Sequence, residues 1–350
     1  MSSGARPESS STHPAKAEPE LSVVVVGRND GYGGDFVGRL QTCVKALAAG
    51  ERLTGVVVEV VVVEWNPPHD RPRLGELLPV ERPSHVKVVE VPAEVHSSIE
   101  NHGGLPLFEY LGKNVGVRRA SADKILVTNP DVIIFPSTLT LCRCPILEQG
   151  GFVRIDRHDF RPPVPRDLPA SEVFEAAMTG VFSVNRRPGP KPQDGWSAKV
   201  DPGLPVSGWA TTRPFESEKE IYDAVYSSTT VAGVGQLHMG MPGDFVLASR
   251  DTWDRSHGYW ERTDVFIHLD TYHLAQLVAS GARQAYAVSP YLILHEDHPR
   301  REDGFRDGWE QVVQICTEMM RGDRPLPNPD DWGLRDMELP TAELGASALV

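Results

Sequence analysis

The stretch Lys124-Ile125-Leu126-Val127-Thr128-Asn129-Pro130-Asp131-Val132-Ile133-Ile134-Phe135 decides the architecture. Two short apolar runs flank a polar turn that ends in an acid. Apolar runs of strand length, without alternation, read as strands buried on both faces. A carboxylate in a turn at the end of a buried strand can hold a hard cation, shared with substrate phosphates. Asp is also an ordinary turn residue, so the rest of the chain has to decide between the two.

Upstream, residues 21–26 form an apolar, β-branched run that ends at Gly27-Arg28-Asn29-Asp30, in a glycine-rich turn reaching Gly34. Phe36, Leu40, Val44 and Leu47 then recur at helical spacing. Residues 56–63 read as a second buried strand, ending at Glu64-Trp65-Asn66, and residues 86–91 as a third. A helix over 109–120 leads into a fourth strand at 125–127. Strands that alternate with helices and are apolar on both faces specify an α/β fold with a mostly parallel sheet flanked by helices. Ligands of such sheets bind at the carboxyl ends of the strands. Arg28 to Asp30, Glu64 to Asn66 and Asn129 to Asp131 all fall there.

Beyond Gly150 the pattern changes. Residues 155–235 are rich in Pro, Gly, Ser and charge and read as a loop-rich insertion over the site, with a short helix at 171–178. Order returns with a strand at 243–247, a helix opening at Asp270 and a last strand over 286–294 that runs into His295-Glu296-Asp297-His298. A helix over 308–321 follows. The domain reading is a disordered tail at 1–20, one domain over 21–300, and a C-terminal helix and extended tail over 301–350. Within the domain, 21–135 is the nucleotide-binding part and 150–300 the acceptor-side part.

The balance of 35 basic and 48 acidic residues, 35 − 48 = −13, argues against a sequence-independent nucleic-acid binder. No run approaches the roughly 20 apolar residues of a membrane span, and the first twenty positions lack the apolar core of a signal peptide. A cytoplasmic protein with no integral membrane segment is the expectation. The four cysteines, Cys43, Cys142, Cys144 and Cys316, have no second pair at zinc-ligand spacing and read as reduced thiols.

The order of these elements over residues 21–300 resembles the GT-A glycosyltransferases, in particular the inverting, family 2-like nucleotide-sugar transferases. The match is carried by Arg28-Asn29-Asp30 after the first strand, Glu64 after the second, and Gly112-Lys113-Asn114-Val115-Gly116 in the helix before Asn129-Pro130-Asp131. Gly243-Asp244, His268-Leu269-Asp270 and the histidines after the last strand complete it. The resemblance implies a GT-A, Rossmann-like fold and transfer of a sugar from a nucleotide-diphosphate sugar to a small-molecule or glycan acceptor.

It also implies donor contacts from Arg28, Asn29, Asp30, Glu64, Asn66, Lys113, Asn114, Asn129 and Asp131. Mn²⁺ or Mg²⁺ would be bound by Asp131 with His298 or His295, His298 being preferred. Asp270 would be the general base, with Asp244 as second choice. Asn129 stands where the family has the first acid of D-x-D, and Leu269 where it has an acidic neighbour of the base. Two other readings stay open: a nucleotidylyltransferase on a similar sheet, and a binding protein that kept the fold and lost the reaction.

Overall fold

The computed structural model describes residues 17–185, 197–199, 225–227, 237–265, 267–287, 290–299 and 308–345. Strand β1 (Leu21–Gly27), helix α1 (Phe36–Thr54), β2 (Val58–Trp65) and β3 (His85–Val91) open the chain, and α2 (Glu109–Arg119) leads into β4 (Lys124–Val127). These four strands lie parallel in the order β4-β1-β2-β3. Their valine runs serve two cores. Val23, Val25, Val60 and Val62 pack on the α1 side with Phe36, Leu40, Val44 and Leu47. Val24, Val26, Val61 and Val63 pack on the α2 side with Leu111 and Val115. Side chains alternate across a strand, so a strand covered on both faces is apolar at most positions, and two exceptions, Ser22 and Glu59, bond one another.

The remainder comprises β5 (Val132–Ile134), β6 (Phe152–Ile155), β7 (Arg157–Phe160), α3 (Val173–Thr179), β8 (Val181–Asn185), β9 (Ser197–Lys199) and β10 (Val225–Ser227). These are followed by β11 (Val246–Ser249), α4 (Arg250–Ser256), α5 (Leu269–Ala279), β12 (Gln284–Ala287), β13 (Ile293–Glu296), α6 (Trp309–Arg321) and β14 (Thr341–Gly345). Among the described residues the large sheet runs β10-β12-β6-β11-β4-β1-β2-β3-β14, and a second runs β5-β13-β7-β8-β9. β11 lies antiparallel to both β4 and β6, which makes the large sheet mixed beside its parallel half.

Three segments differ from the sequence reading. The charged run at 154–159 is not a surface loop: it forms the end of β6 and most of β7, and Arg154, Arg157, His158 and Asp159 are all buried. Charge hid these strands because their charged groups pair inside the protein. Together with α3 and β8 they give the expected insertion ordered structure up to Asn185; positions 186–196, 200–224 and 228–236 lie outside the described residues. The single strand expected over 286–294 is two, β12 in the large sheet and β13 in the second.

The third difference is the extended tail. Trp332 is 1% exposed, and the Arg118 guanidinium lies 3.8 Å above its ring. β14 then pairs antiparallel with β3 and extends the large sheet. Arg118 and Arg119, read as solvated helix residues, hold this return by donating to the carbonyls of Asp330, Trp332, Gly333, Leu334 and Met337. All four cysteines are buried and free.

Candidate active site

The two sheets meet at the turn between β4 and β5, and that turn carries Asp131. Thr128 Oγ1 and Asn129 Nδ2 donate to the backbone and side chain of Asp244, both at 2.7 Å, which fixes the start of the turn. β5 pairs antiparallel with β13, with His295 opposite Val132, and the Glu296 N–H bonds the Asp131 carbonyl at 3.0 Å. This register brings the histidines after the last strand onto Asp131. His298 Nε2 lies 2.8 Å from Asp131 Oδ2, and His295 Nε2 lies 3.7 Å from the same oxygen.

One donor atom from each of Asp131, His295 and His298 falls within 4.8 Å of the others. Asp131 Oδ1 is buried and has no hydrogen-bond partner. Burial works to raise the Asp131 carboxyl, but His295, His298 and Arg39 outweigh it and hold the group well below the usual carboxylate range. A buried carboxylate with one orphaned oxygen, and two imidazoles grouped at its other oxygen, fits a divalent cation.

These residues line a cleft of about 230 Å³ that also includes Arg39, Asn129, Arg157, Asp244 and Asp270. A second hollow of about 240 Å³ adjoins it, lined by Arg28, Asp30, Arg262 and the 105–111 segment. Tyr32, Phe36, Leu107, Glu109 and Tyr110 belong to both, so the two form one groove along the carboxyl edge of β1. The turn after β1 shapes its wall. Arg39, from α1, donates to the carbonyls of Gly33 (3.0 Å) and Tyr32 (2.6 Å). Gly33 itself has φ +62°, and a Cβ there would sit 2.6 Å from His298 Nδ1.

The two candidate bases differ in freedom. Asp244 is buried, with Oδ1 taking the Asn129 amide and Oδ2 paired at 2.8 Å with buried Arg157. Burial works against the Arg157 charge, and Asp244 and Asp159 more than restore it. Asp270 is only partly buried, and it accepts two neutral backbone N–H groups, from Gly243 at 2.9 Å and Thr271 at 2.8 Å. It sits one residue inside α5, whose cap is His268.

Several residues expected to touch the donor are not at the groove. Lys113 is fully buried and bonds Glu109 and the Gly243 carbonyl. Asn114 is equally buried and bonds Tyr259 and Glu261. The spacing that carried the resemblance has a packing cause. At Gly112 and Gly116 a Cβ would lie 2.7 Å and 2.3 Å from Val26 and Val24, so α2 rests directly on β1. Glu64 is 1% exposed and accepts the Leu74 N–H, while Asn29 and Asn66 donate to the carbonyls of Pro72 and Pro106. Trp65 is core and donates to His96. Arg28 and Asp30 do line the groove. Sequence reasoning missed Arg39, and left Arg157 and Asp159 within the charged stretch beyond Gly150. The alternation of charged residues in Arg157-His158-Asp159 was the one available signal.

No family model matches the chain, and no curated protein matches it in sequence. Among solved structures it is similar to S. aureus TarS at 12% identity and a TM-score of 0.42, over 79% of this chain and 36% of that one. A structure of TarS 1–349 aligns at 11% identity and 0.44, over 86% and 70%. GalNAc-T7, solved with UDP, GalNAc and Mn²⁺, aligns at 11% and 0.42, over 80% and 43%. The match thus spans less than half of that first TarS chain and of the GalNAc-T7 chain. No helix among the described residues is long and apolar enough to cross a membrane.

Proposed function

We propose that this chain is a glycosyltransferase that moves a sugar from a nucleotide-diphosphate donor to an acceptor hydroxyl, assisted by a divalent cation. The observation that carries the reading is the convergence of Asp131, His295 and His298 in a groove that also holds Asp270. The hollow lined by Arg28, Asp30 and residues 105–111 suits a nucleoside, and the adjoining cleft suits its diphosphate. Asp131, His295 and His298 would hold the cation, which when bound offsets the charge that develops on the leaving diphosphate.

Arg39 adds a fixed positive charge on the same side, and its bonds to the turn after β1 keep it in place without substrate. Asp270, partly exposed and facing the cleft, takes the proton of the acceptor hydroxyl. Asp244 is committed to Arg157 and Asn129 and shapes the cleft floor. A hexosyl donor is the working assignment.

The test is a donor-hydrolysis panel of UDP-, GDP- and dTDP-sugars with and without Mn²⁺. Cation-dependent release of nucleoside diphosphate is the expected result. Pyrophosphate release from a nucleoside triphosphate would move the assignment to nucleotidyl transfer. Failure to bind any nucleotide in the presence of Mn²⁺ would leave a non-catalytic protein.

A further inference from the structure

The second sheet carries a row of polar side chains across four adjacent chain segments. Asp131 enters β5, His295 lies on β13, Asp159 on β7 and Asn185 on β8. The register sets the row: β13 and β7 run parallel with His295 opposite Asp159, and β7 and β8 pair with Asn185 opposite Arg157, two positions along the strand from Asp159. Asp159 is buried. Its Oδ2 accepts the Asn185 amide at 2.5 Å, and its Oδ1 lies 2.8 Å from Arg157 Nη2 and 3.0 Å from His295 Nδ1. The approach to His295 is close but off the hydrogen-bond axis, and Nδ1 has no hydrogen-bond partner elsewhere.

The other ring nitrogen, Nε2, is 3.7 Å from Asp131 Oδ2, too long for a hydrogen bond. A carboxylate at Nδ1 calls for the proton on that nitrogen and leaves the Nε2 lone pair facing the Asp131 cluster. We propose that Asp159 is a positioning residue that fixes the orientation of His295 and so makes it a metal ligand beside Asp131 and His298. This rests on the metal-assisted reading above. The competing account is that Asp159 serves only to neutralise Arg157, in which case its loss would change stability and leave metal binding alone.

The test is Mn²⁺ binding by the full chain without donor, followed by electron paramagnetic resonance, with nitrogen couplings counted in the bound state. Asp159→Asn keeps the shape of the side chain but removes its charge and leaves one neutral oxygen for the three donors, Asn185, Arg157 and His295 Nδ1, that its two carboxylate oxygens face. The expected result is a loss of Mn²⁺ affinity of about 10–100-fold, with coupled imidazoles falling from two to one. Wild-type affinity and two imidazoles in Asp159→Asn, with affinity lost in His298→Ala, would overturn the role of Asp159 and leave the metal reading standing. Absence of Mn²⁺ binding by the wild-type chain would overturn both. If Asp159→Asn does not fold, Asn185→Ala replaces it. That variant frees the other carboxylate oxygen, and a several-fold loss of affinity is expected; unchanged affinity overturns the proposal.

Discussion

Asn129 Nδ2 donates to Asp244 Oδ1 at 2.7 Å, and this bond requires an amide rather than a carboxylate at position 129. A carboxylate at 129 would face the Asp244 carboxylate instead of donating to it. Asn129→Asp is therefore expected to destabilise the fold by about 1–3 kcal/mol at neutral pH rather than to strengthen metal binding. The penalty should shrink as the pH falls and carboxyl groups protonate. Denaturant titrations at two pH values check both statements, and a more stable variant would contradict the account.

Asp270→Asn keeps an oxygen to accept the Gly243 N–H, so the cleft should hold its shape. Turnover should fall by about 10²–10⁴-fold, with nucleotide affinity little changed. Steady-state kinetics beside a binding titration separates the two. Full activity would remove Asp270 as the base.

Gly33→Ala tests whether the turn after β1 supports the metal cluster. The residue has φ +62°, and a new Cβ would meet His298 Nδ1 at 2.6 Å and Arg39 Nη2 at 2.7 Å. The left-handed conformation alone costs about 1–2 kcal/mol for a residue with a Cβ. Displacement of His298 should in addition weaken Mn²⁺ binding. Melting temperature measured with and without Mn²⁺ checks both effects.

Glu64 gives the chain a pH-sensitive cost away from the groove. Burial raises its carboxyl to about 7, and Oε1 has no hydrogen-bond partner. The folded value lies above the unfolded one, so the stability linked to this proton is complete below about pH 4.5 and lost as the pH rises through 7. Glu64→Gln should be more stable than the wild type above pH 7, and the gain should vanish near pH 5. Thermal unfolding at pH 5 and pH 8 gives the comparison; an equal gain at both would refute the burial explanation.

Legibility in the sequence followed the physics of each segment. The β1, β2 and β4 runs were legible because strands covered on both faces show mostly valine, leucine and isoleucine. That Asp131 and the two histidines come together was legible from their places at strand ends, and Asp270 from its place opening a helix at the same edge. Glu64, Lys113 and Asn114 were misplaced because a polar residue near such an edge reads the same whether it faces solvent, substrate or another buried polar group. For Lys113 and Asn114 the packing cause is the close approach of Gly112 and Gly116 to β1. The charge of β7 hid a strand because its partners, Asp244 and His295, come from elements more than 80 positions away.

The pairing of β14 with β3 has a practical side. Without it, the backbone N–H and C=O groups of β3 would form an open border beside Val86 and Val88, a ready template for stacking against another chain. Chains shortened before Thr341 should therefore be prone to self-association even if the groove is intact. A fusion partner or affinity tag is better attached where it leaves that last strand free to dock.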